Sequence, residues 1–466
     1  MHRRHFIRQS ALASTATMLL SGTALPLAGK PLAKKKIALV GTGGRGIGFW
    51  GTPVVKNYGD LVEFVGLCDI NPGRLKYARK AMGVECPVFS NFEDMMKTTK
   101  PELVIVTTVD STHHEFIIKA MEMGADVVTE KPMTTDEKAC KLILDAEKKT
   151  GKTVRVGMNY RYGSFFTGIK EQLMSGKIGK ITSVDFHWYL NVYHGADYFR
   201  RWHRLKEKGG TLLVHKSSHH FDLVNWLLDS DPVDVFAFGA LEHYGKNGSF
   251  RHTHCRPCPH KVECKFYMDI TKRQDLMDIY VANEQHDGYL RDGCVFKEDI
   301  NIYDKMSVQA SYANEATLNY SLTTYSPYEG WRIAFNGTKG RLDASEGIPW
   351  EVQEVDQESL HAKEMAQGAK EKPNEFDKIY ITINFKQTPE VVKVERKKGG
   401  HGGGDVKLHD SIFGALKQAD PLKYAAGTRD GAMSVLLGVA ARQSIEQKKV
   451  VKIKDLTDIG LMAVRP

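Results

Sequence analysis

The chain has 466 residues, 42% hydrophobic and 26% charged, an ordinary composition for a soluble globular protein of two or three domains. Its formal charge of +9 is mostly local, because residues 1–36 hold Arg3, Arg4, Arg8, Lys30, Lys34, Lys35 and Lys36 and no acid. The remainder is close to neutral and has no basic stripe with interleaved aromatics, which argues against a nucleic-acid partner.

Arg3-Arg4-His5-Phe6-Ile7-Arg8 is a twin-arginine pattern, followed by the apolar runs Ala11-Leu12-Ala13 and Met18-Leu19-Leu20. Small residues near Ala24, Ala28 and Ala33 offer cleavage sites. Residues 1–33 therefore read as an export signal outside the fold, with a disordered tail as the plain alternative. Such signals accompany proteins exported already folded, often with a cofactor aboard, so a periplasmic location is expected. No other stretch is long enough to span a membrane.

From residue 34 the chain alternates short apolar runs with amphipathic ones. Ile37-Ala38-Leu39-Val40 reads as a buried strand, and Gly41-Thr42-Gly43-Gly44-Arg45-Gly46 follows at once, opening a helix-compatible segment. Gly41, Gly43 and Gly46 thus form G-x-G-x-x-G in a strand–turn–helix setting. In that motif the first glycine makes the turn, the second admits a pyrophosphate and the third lets helix pack on strand. The free N–H groups at the helix start suit phosphate. The next strand, Val62 to Cys68, ends in Asp69, whose carboxylate suits a ribose 2′-hydroxyl and repels a 2′-phosphate. This favours NAD over NADP, although Arg74 nearby counts the other way and Asp69 also looks like a helix N-cap. Helices over 92–98, 113–123 and 135–149 alternate with strands over 103–107, 126–129 and 153–157. The pattern predicts a doubly wound parallel sheet of about six strands over residues 34–157.

After Ile181 the period changes to two. Val184, Phe186, Trp188 and Leu190 alternate with polar residues, and strand-like runs recur at 233–241, 307–313, 316–324, 332–336, 341–344 and 379–385. Residues 158–466 therefore read as a second α/β domain with a large, mostly antiparallel sheet. Helices are expected over 219–228 and 433–447, and a polar excursion over 357–375. The glycine-dense stretch 399–404, with His401 and Asp405, reads as a loop, either a ligand-approaching segment or a flexible linker.

Glu130-Lys131-Pro132 stands at the carboxyl end of a buried strand, where open α/β sheets bind ligands. A solvated loop lysine is the plain reading of Lys131. With Gly41-Thr42-Gly43-Gly44-Arg45-Gly46, Asp69-Ile70-Asn71-Pro72, Glu130-Lys131-Pro132 and His219-His220-Phe221-Asp222 in that order, and with Gly337-Thr338-Lys339-Gly340 and Asp430-Gly431 fitting as well, the chain resembles the glucose–fructose oxidoreductase and inositol dehydrogenase (Gfo/Idh/MocA) family over nearly all of residues 34–455. The resemblance implies a Rossmann domain followed by an α/β domain whose open sheet often mediates oligomers, here a dimer or tetramer. It also implies NAD(P)-dependent oxidation or reduction of a sugar or cyclitol carbinol.

By that resemblance Lys131 matches the lysine at the reacting hydroxyl and His219 the histidine that exchanges its proton. His215 stands where the family commonly has Asp, a departure that bears on how His219 is tuned. Asp222 matches a residue that orients its neighbours, or one that is purely structural. Histidine suits the task because its pKa lies near neutrality, and an ammonium stabilises a developing alkoxide where water is excluded. Expected cofactor contacts are Gly41, Gly43, Gly44, Arg45, Gly46, Asp69, Arg74, Thr108, His113, Glu130, Lys131 and Asn159. Expected sugar contacts are Tyr160, Arg161, Tyr193, Trp202, His203 and His220.

An insert over residues 243–299 holds Cys255, Cys258, Cys264 and Cys294. Four clustered thiols suit a structural zinc, two disulfides or an iron–sulfur cluster, and folding before export favours metal. Cys68, Cys86 and Cys140 read as buried small hydrophobes. The leading functional expectation is an exported sugar or glycoside dehydrogenase that retains its NAD. The alternatives are an NAD-dependent glycosidase, which oxidises C3 transiently, eliminates, hydrates and re-reduces, and a non-catalytic sensor.

Overall fold

The computed structural model describes residues 33–350, 376–415 and 419–465. The expected export signal, apart from Ala33, and the expected polar excursion over 357–375 lie outside these residues.

Six parallel strands form the first sheet: β1 (Lys35–Val40), β2 (Val62–Cys68), β3 (Val88–Phe89), β4 (Leu103–Val106), β5 (Asp126–Thr129) and β6 (Val154–Val156). Their order is β3-β2-β1-β4-β5-β6, so the chain reverses direction across the sheet between β1 and β4. That reversal opens a crevice at the carboxyl edge, where this fold class binds nucleotides. The register decides what lines it. Val40 pairs with Cys68 on one side and Val106 on the other, and Val106 pairs with Thr129. Gly41, Asp69, Thr107 and Glu130 therefore leave the sheet side by side.

The glycines of the turn are required by space. Gly41 has φ +92, and a Cβ there would lie 2.6 Å from the Thr107 carbonyl. A Cβ on Gly46 would lie 2.2 Å from the Gly41 carbonyl oxygen. The helix after the turn opens with a π-helical stretch, Gly46–Gly51, before Thr52–Tyr58.

The second sheet has nine strands: β7 (Ile181–Asn191), β8 (Pro232–Ala240), β9 (Lys305–Tyr312), β10 (Thr317–Ser326), β11 (Gly330–Gly337), β12 (Gly340–Glu346), β13 (Phe376–Ile383), β14 (Glu390–Glu395) and β15 (Val451–Lys452). It runs β14-β13-β12-β11-β7-β10-β9-β8-β15 and is antiparallel except where β7 lies beside β10. Val184, Phe186, Trp188 and Leu190 are buried on one face of β7 while their neighbours are partly exposed, as the alternation predicts. The helices Ser217–Leu228 and Thr428–Gln447 belong to the same core as that face.

Several elements were not legible in the sequence. The helices Ser164–Met174 and Gly404–Phe413 carry glycines that read as breakers. Both glycines permit close approach instead. A Cβ on Gly168 would lie 2.6 Å from Val394 Cγ2 on β14, and one on Gly404 would lie 2.5 Å from the Asn159 carbonyl oxygen. The stretch 399–404 is thus a turn leading directly into a helix.

The same crowding makes a prediction for the turn. Gly46→Ala forces the turn and the first helix apart and should cost about 1–3 kcal/mol. Thermal unfolding followed by circular dichroism should show a lowered midpoint. An unchanged midpoint would mean that the turn is not packed as described.

Candidate active site

At the cradle, Asp69 is held by its own loop. Its Oδ2 accepts from the Thr42 N–H at 2.7 Å and the Thr42 hydroxyl at 3.1 Å, and its Oδ1 accepts from the Asn71 N–H at 2.9 Å. Arg74 Nη2 also reaches Asp69 Oδ1, at 3.1 Å. A Cβ on Gly43 would lie in van der Waals contact with the Tyr280 hydroxyl, at 3.6 Å, so Tyr280 borders the middle of the motif. Arg45 donates to Glu130 Oε1 at 2.5 Å and lies 3.6 Å over the Phe49 ring. Glu130 also accepts from Trp50 Nε1 at 2.8 Å and from the Lys131 N–H at 3.1 Å. Burial opposes its charge, yet Arg45 and Lys131 keep its carboxyl below the usual range. The residues present therefore fit a dinucleotide: a tight glycine turn at a helix start, a carboxylate at the ribose end and a buried acid that anchors the loop.

Next to Glu130, the Lys131–Pro132 peptide bond is cis. Lys131 Nζ donates to the His215 carbonyl oxygen at 3.0 Å, and His215 Nδ1 lies 2.5 Å from Asp110 Oδ2. Asp110 is buried beneath this pair. Burial pushes the Lys131 ammonium down to about 8, with Asp110 and Glu130 partly restoring its charge. Burial, then the Lys131 charge, holds His215 well below its ordinary value.

His219 lies on the helix Ser217–Leu228, stacked 4.2 Å from the Tyr160 ring at an interplanar angle of 7°. Burial, then the ammonium groups of Lys131 and Lys216, keep it well below its ordinary pKa, so it is neutral at pH 7. Lys216 Nζ donates to the Tyr160 hydroxyl at 3.2 Å. His219 Nδ1, His203 Nδ1 and Asn159 Oδ1 are enclosed without hydrogen-bond partners among the described residues. Such atoms are rare in folded proteins and mark places where function outweighs satisfaction. A partly buried ammonium beside a neutral histidine, at the edge of a dinucleotide-type sheet, can take a proton from an alcohol and stabilise the oxygen left behind.

Comparison with known proteins places the chain in a family. Residues 35–158 match the model described as "Oxidoreductase family, NAD-binding Rossmann fold", and residues 170–453 match "Oxidoreductase family, C-terminal alpha/beta domain". The chain belongs to the Gfo/Idh/MocA oxidoreductase family. It is 36% identical over 442 residues to the Bacillus subtilis protein YteT, covering 91% of this chain and 98% of that one. An inositol 2-dehydrogenase/D-chiro-inositol 3-dehydrogenase of Lactiplantibacillus plantarum is 27% identical over 201 residues, 41% of this chain and 53% of that protein. Among solved structures, levoglucosan dehydrogenase in complex with NADH and levoglucosan superposes with a TM-score of 0.61 at 17% identity, covering 90% of this chain and 99% of that one. The WlbA dehydrogenase of Chromobacterium violaceum, in complex with NADH and UDP-GlcNAcA, gives 0.59 at 19%, covering 90% and 96%. These two likenesses show the fold alone.

Within this family framework several expected contacts need correction. Arg161 and Asp222 form a buried ion pair, with guanidinium nitrogens 2.6 and 2.7 Å from the two carboxylate oxygens. Asp430 adds a contact at 2.9 Å. Asp222 is therefore occupied structurally, and Arg161 is not placed to meet a sugar. His220 is fully enclosed, stacked 4.1 Å from Trp188 with Nδ1 2.7 Å from the Tyr320 hydroxyl, so it is a core residue. His113 is also buried, its ring nitrogens 2.9 Å from the Pro132 carbonyl and 3.1 Å from the Thr108 carbonyl. It clasps the Lys131–Pro132 turn to the preceding loop rather than facing a cofactor. Thr108 itself shares a hydrogen bond with the Thr112 hydroxyl at 2.9 Å.

The remaining expectations divide. Trp202 stacks 3.7 Å from His203, which lies 4.1 Å from His215, so both border the Lys131 cluster. Tyr193 is half-exposed at the first turn of the helix Val192–Arg200. The Asn159 amide donates to Asp405 Oδ1 at 2.7 Å and meets His401 Nδ1 at 3.0 Å. Burial works against the Asp405 charge, but His401 and Asn159 hold its carboxyl low. His401, 5.0 Å from the Tyr160 ring, was visible in sequence only as a histidine in a glycine-dense loop. Asp110 gave no sequence signal.

The cysteine insert brings its four clustered thiols together. Cys255, Cys258, Cys264 and Cys294 line one small cavity of about 20 Å³, and all four are free thiols. The Arg200 guanidinium enters the group, 3.3 Å from Cys255 Sγ. Among the described residues no three His, Cys, Asp or Glu side chains are arranged to hold a metal ion. The four thiols nonetheless face one another across one cavity, with the Arg200 guanidinium beside Cys255. No helix among the described residues is long and apolar enough to cross a membrane.

The correction at Asp222 has a measurable consequence. Removing one partner of a buried ion pair leaves the other charge uncompensated and costs about 3–5 kcal/mol. Asp222→Asn should therefore lower the urea midpoint strongly. A variant with wild-type stability would return Asp222 to the list of site residues.

Proposed function

We propose that this chain is an NAD-dependent dehydrogenase that oxidises a secondary hydroxyl of a sugar or glycoside, with Lys131 and His219 as its catalytic pair. The carrying observation is the partly buried Lys131 ammonium beside a neutral His219. NAD, when bound, supplies the hydride acceptor. Gly41, Gly43, Gly44, Arg45 and Gly46 would hold its phosphates, the Gly44 N–H exchanging the Tyr280 hydroxyl for them, with Asp69 at its ribose and Asn159 near the reacting end. The Asp69 carboxylate is the reason for preferring NAD over NADP.

The protein's own part is proton handling in a place that excludes water. Lys131 donates to the substrate hydroxyl oxygen and stabilises its growing negative charge. Nδ1 of His219 is enclosed, which leaves Nε2 to accept the hydroxyl proton. The His215–Asp110 pair fixes the backbone carbonyl that Lys131 binds. Tyr160, Trp202 and His203 supply aromatic surface and polar tips of the kind carbohydrates bind.

We also propose that residues 1–33 export the folded protein by the twin-arginine route to the periplasm with NAD retained, since free NAD is scarce there. The open face of the nine-stranded sheet supports a homo-oligomer, as a dimer or tetramer. A second reading draws on His401 and Asp405. A simple oxidation needs one base, and this second protonatable pair beside Tyr160 suits a glycosidase that oxidises C3, eliminates, hydrates and re-reduces. The product separates them: the dehydrogenase leaves a keto sugar, and the glycosidase releases aglycone with no net NADH.

Native mass spectrometry of the exported protein should show bound NAD, and a screen over glucosides should yield a keto sugar. Fully active protein purified without NAD would refute retention. His219→Ala should lower kcat by about 10²–10⁴-fold in single-turnover assays. The pH dependence follows from Lys131, whose charge is present below about 8 and lost above it. The kcat/KM should therefore fall as pH rises through about 8, and Lys131→Arg should remove that limb because arginine stays charged. A profile flat to pH 10 in the wild type would contradict an ammonium role.

A further inference from the structure

The cysteine insert returns to the nucleotide cradle. Its helix Gln274–Ile279 and the following turns place three side chains against the loop after β1 and the loop after β2. The Tyr280 hydroxyl accepts from the Gly44 N–H at 2.9 Å. The Asn283 carbonyl accepts from Asn71 Nδ2 at 2.9 Å, and a Cβ on Gly73 would lie 1.8 Å from Asn283 Oδ1, so the two segments are in close register. Asp287 Oδ2 lies 2.6 Å from Arg74 Nη2, the same nitrogen that is 3.1 Å from Asp69 Oδ1. The insert is braced behind these contacts, with Asn283 Nδ2 donating to the Asp278 carbonyl at 2.8 Å. Arg256 bridges Glu284 at 2.6 Å and the buried Asp292 at 3.1 Å.

Charge arithmetic at Arg74 gives this arrangement a meaning. One guanidinium is shared by two carboxylates, so the trio carries a net negative charge. An arginine at this position next to the ribose-binding acid ordinarily accommodates a 2′-phosphate. Here Nη2 is shared between both carboxylates, and the second carboxylate would face any phosphate brought to the ribose. The side chains of Arg74 and Asp287 are 12% and 14% exposed, so solvent screens the trio only partly.

We infer that Asp287 is a cofactor-specificity residue: the insert, through Asp287, withholds Arg74 from a ribose 2′-phosphate and makes the cradle selective for NAD. This rests on the dinucleotide-binding part of the proposed function. It assigns to the insert a role that its cysteines do not: carrying an acid to the adenosine end of the cradle and fixing it there through Tyr280 and Asn283.

The test is direct binding of NAD and NADP to the full chain by calorimetry, independent of turnover. Asp287→Asn removes the second carboxylate and frees Arg74. Its NADP affinity should rise about tenfold or more, as expected for a new charge-assisted contact to phosphate, and NAD affinity should change much less. Adding Arg74→Gln to Asp287→Asn should abolish the gain, and Asp287→Glu should keep the wild-type preference. Equal changes for both dinucleotides in Asp287→Asn, or a gain that survives Arg74→Gln, would overturn the inference while leaving the dehydrogenase reading intact. Failure of the wild-type chain to bind either dinucleotide would overturn both. Should Asp287→Asn unfold, loss of NAD preference in Asp287→Glu would count against the inference, and its retention would support it.

Discussion

A partly buried ammonium is the constraint on which the site depends. Lys131 sits where its charge is costly, and the surrounding groups are those that make the cost bearable. The His215 carbonyl takes its proton-bearing nitrogen at 3.0 Å, and Glu130, whose carboxyl is held low, supplies negative charge nearby, while burial pushes the Asp110 carboxyl up. A fully paired lysine would be inert, and a fully solvated one would stabilise an oxyanion little. The observed compromise keeps a charge whose strength is not spent on water. It also sets the state of its neighbour, because the nearby ammonium groups of Lys131 and Lys216 help keep His219 neutral and so able to accept a proton.

The helix Ser217–Leu228 shows how one buried element serves three directions. His219 turns to Tyr160, His220 packs between Trp188 and Tyr320 on the sheet side, and Asp222 closes on Arg161. All three are titratable or strongly polar, and all are buried. In His220 and Asp222 the polar groups are anchors that fix the helix. That rigidity is what places His219 against Tyr160.

The fold was legible because it rests on local periodicity. The apolar runs of β1 to β6, the glycine turn and Asp69 carry their reasons within a few residues, as does the period-2 patterning of β7. The site was legible only in part. Lys131 and His219 stand out by motif, but the His220–Asp222 segment reads as one cluster in sequence although its side chains point apart around the helix. Arg161 looked like a sugar contact because its partners, Asp222 and Asp430, are 61 and 269 residues away. Asp110 was invisible for the same reason, and His401 showed only as a histidine in a glycine-dense loop. The cysteine spacing pointed to a thiol cluster, but not to Arg200, which stands beside Cys255 from 55 residues away. Long-range pairing decides each of these cases, and spacing along the chain cannot report it.

The central claim is that hydride leaves a carbinol carbon of a sugar held between Lys131 and His219. The most direct measurement is to present glycosides deuterated at single ring carbons to the NAD-loaded protein and follow the nicotinamide by mass spectrometry. The account predicts deuterium on the reduced nicotinamide from one ring position, with the transfer lost in Lys131→Met. No transfer from any labelled position, or transfer undiminished in Lys131→Met, would contradict it.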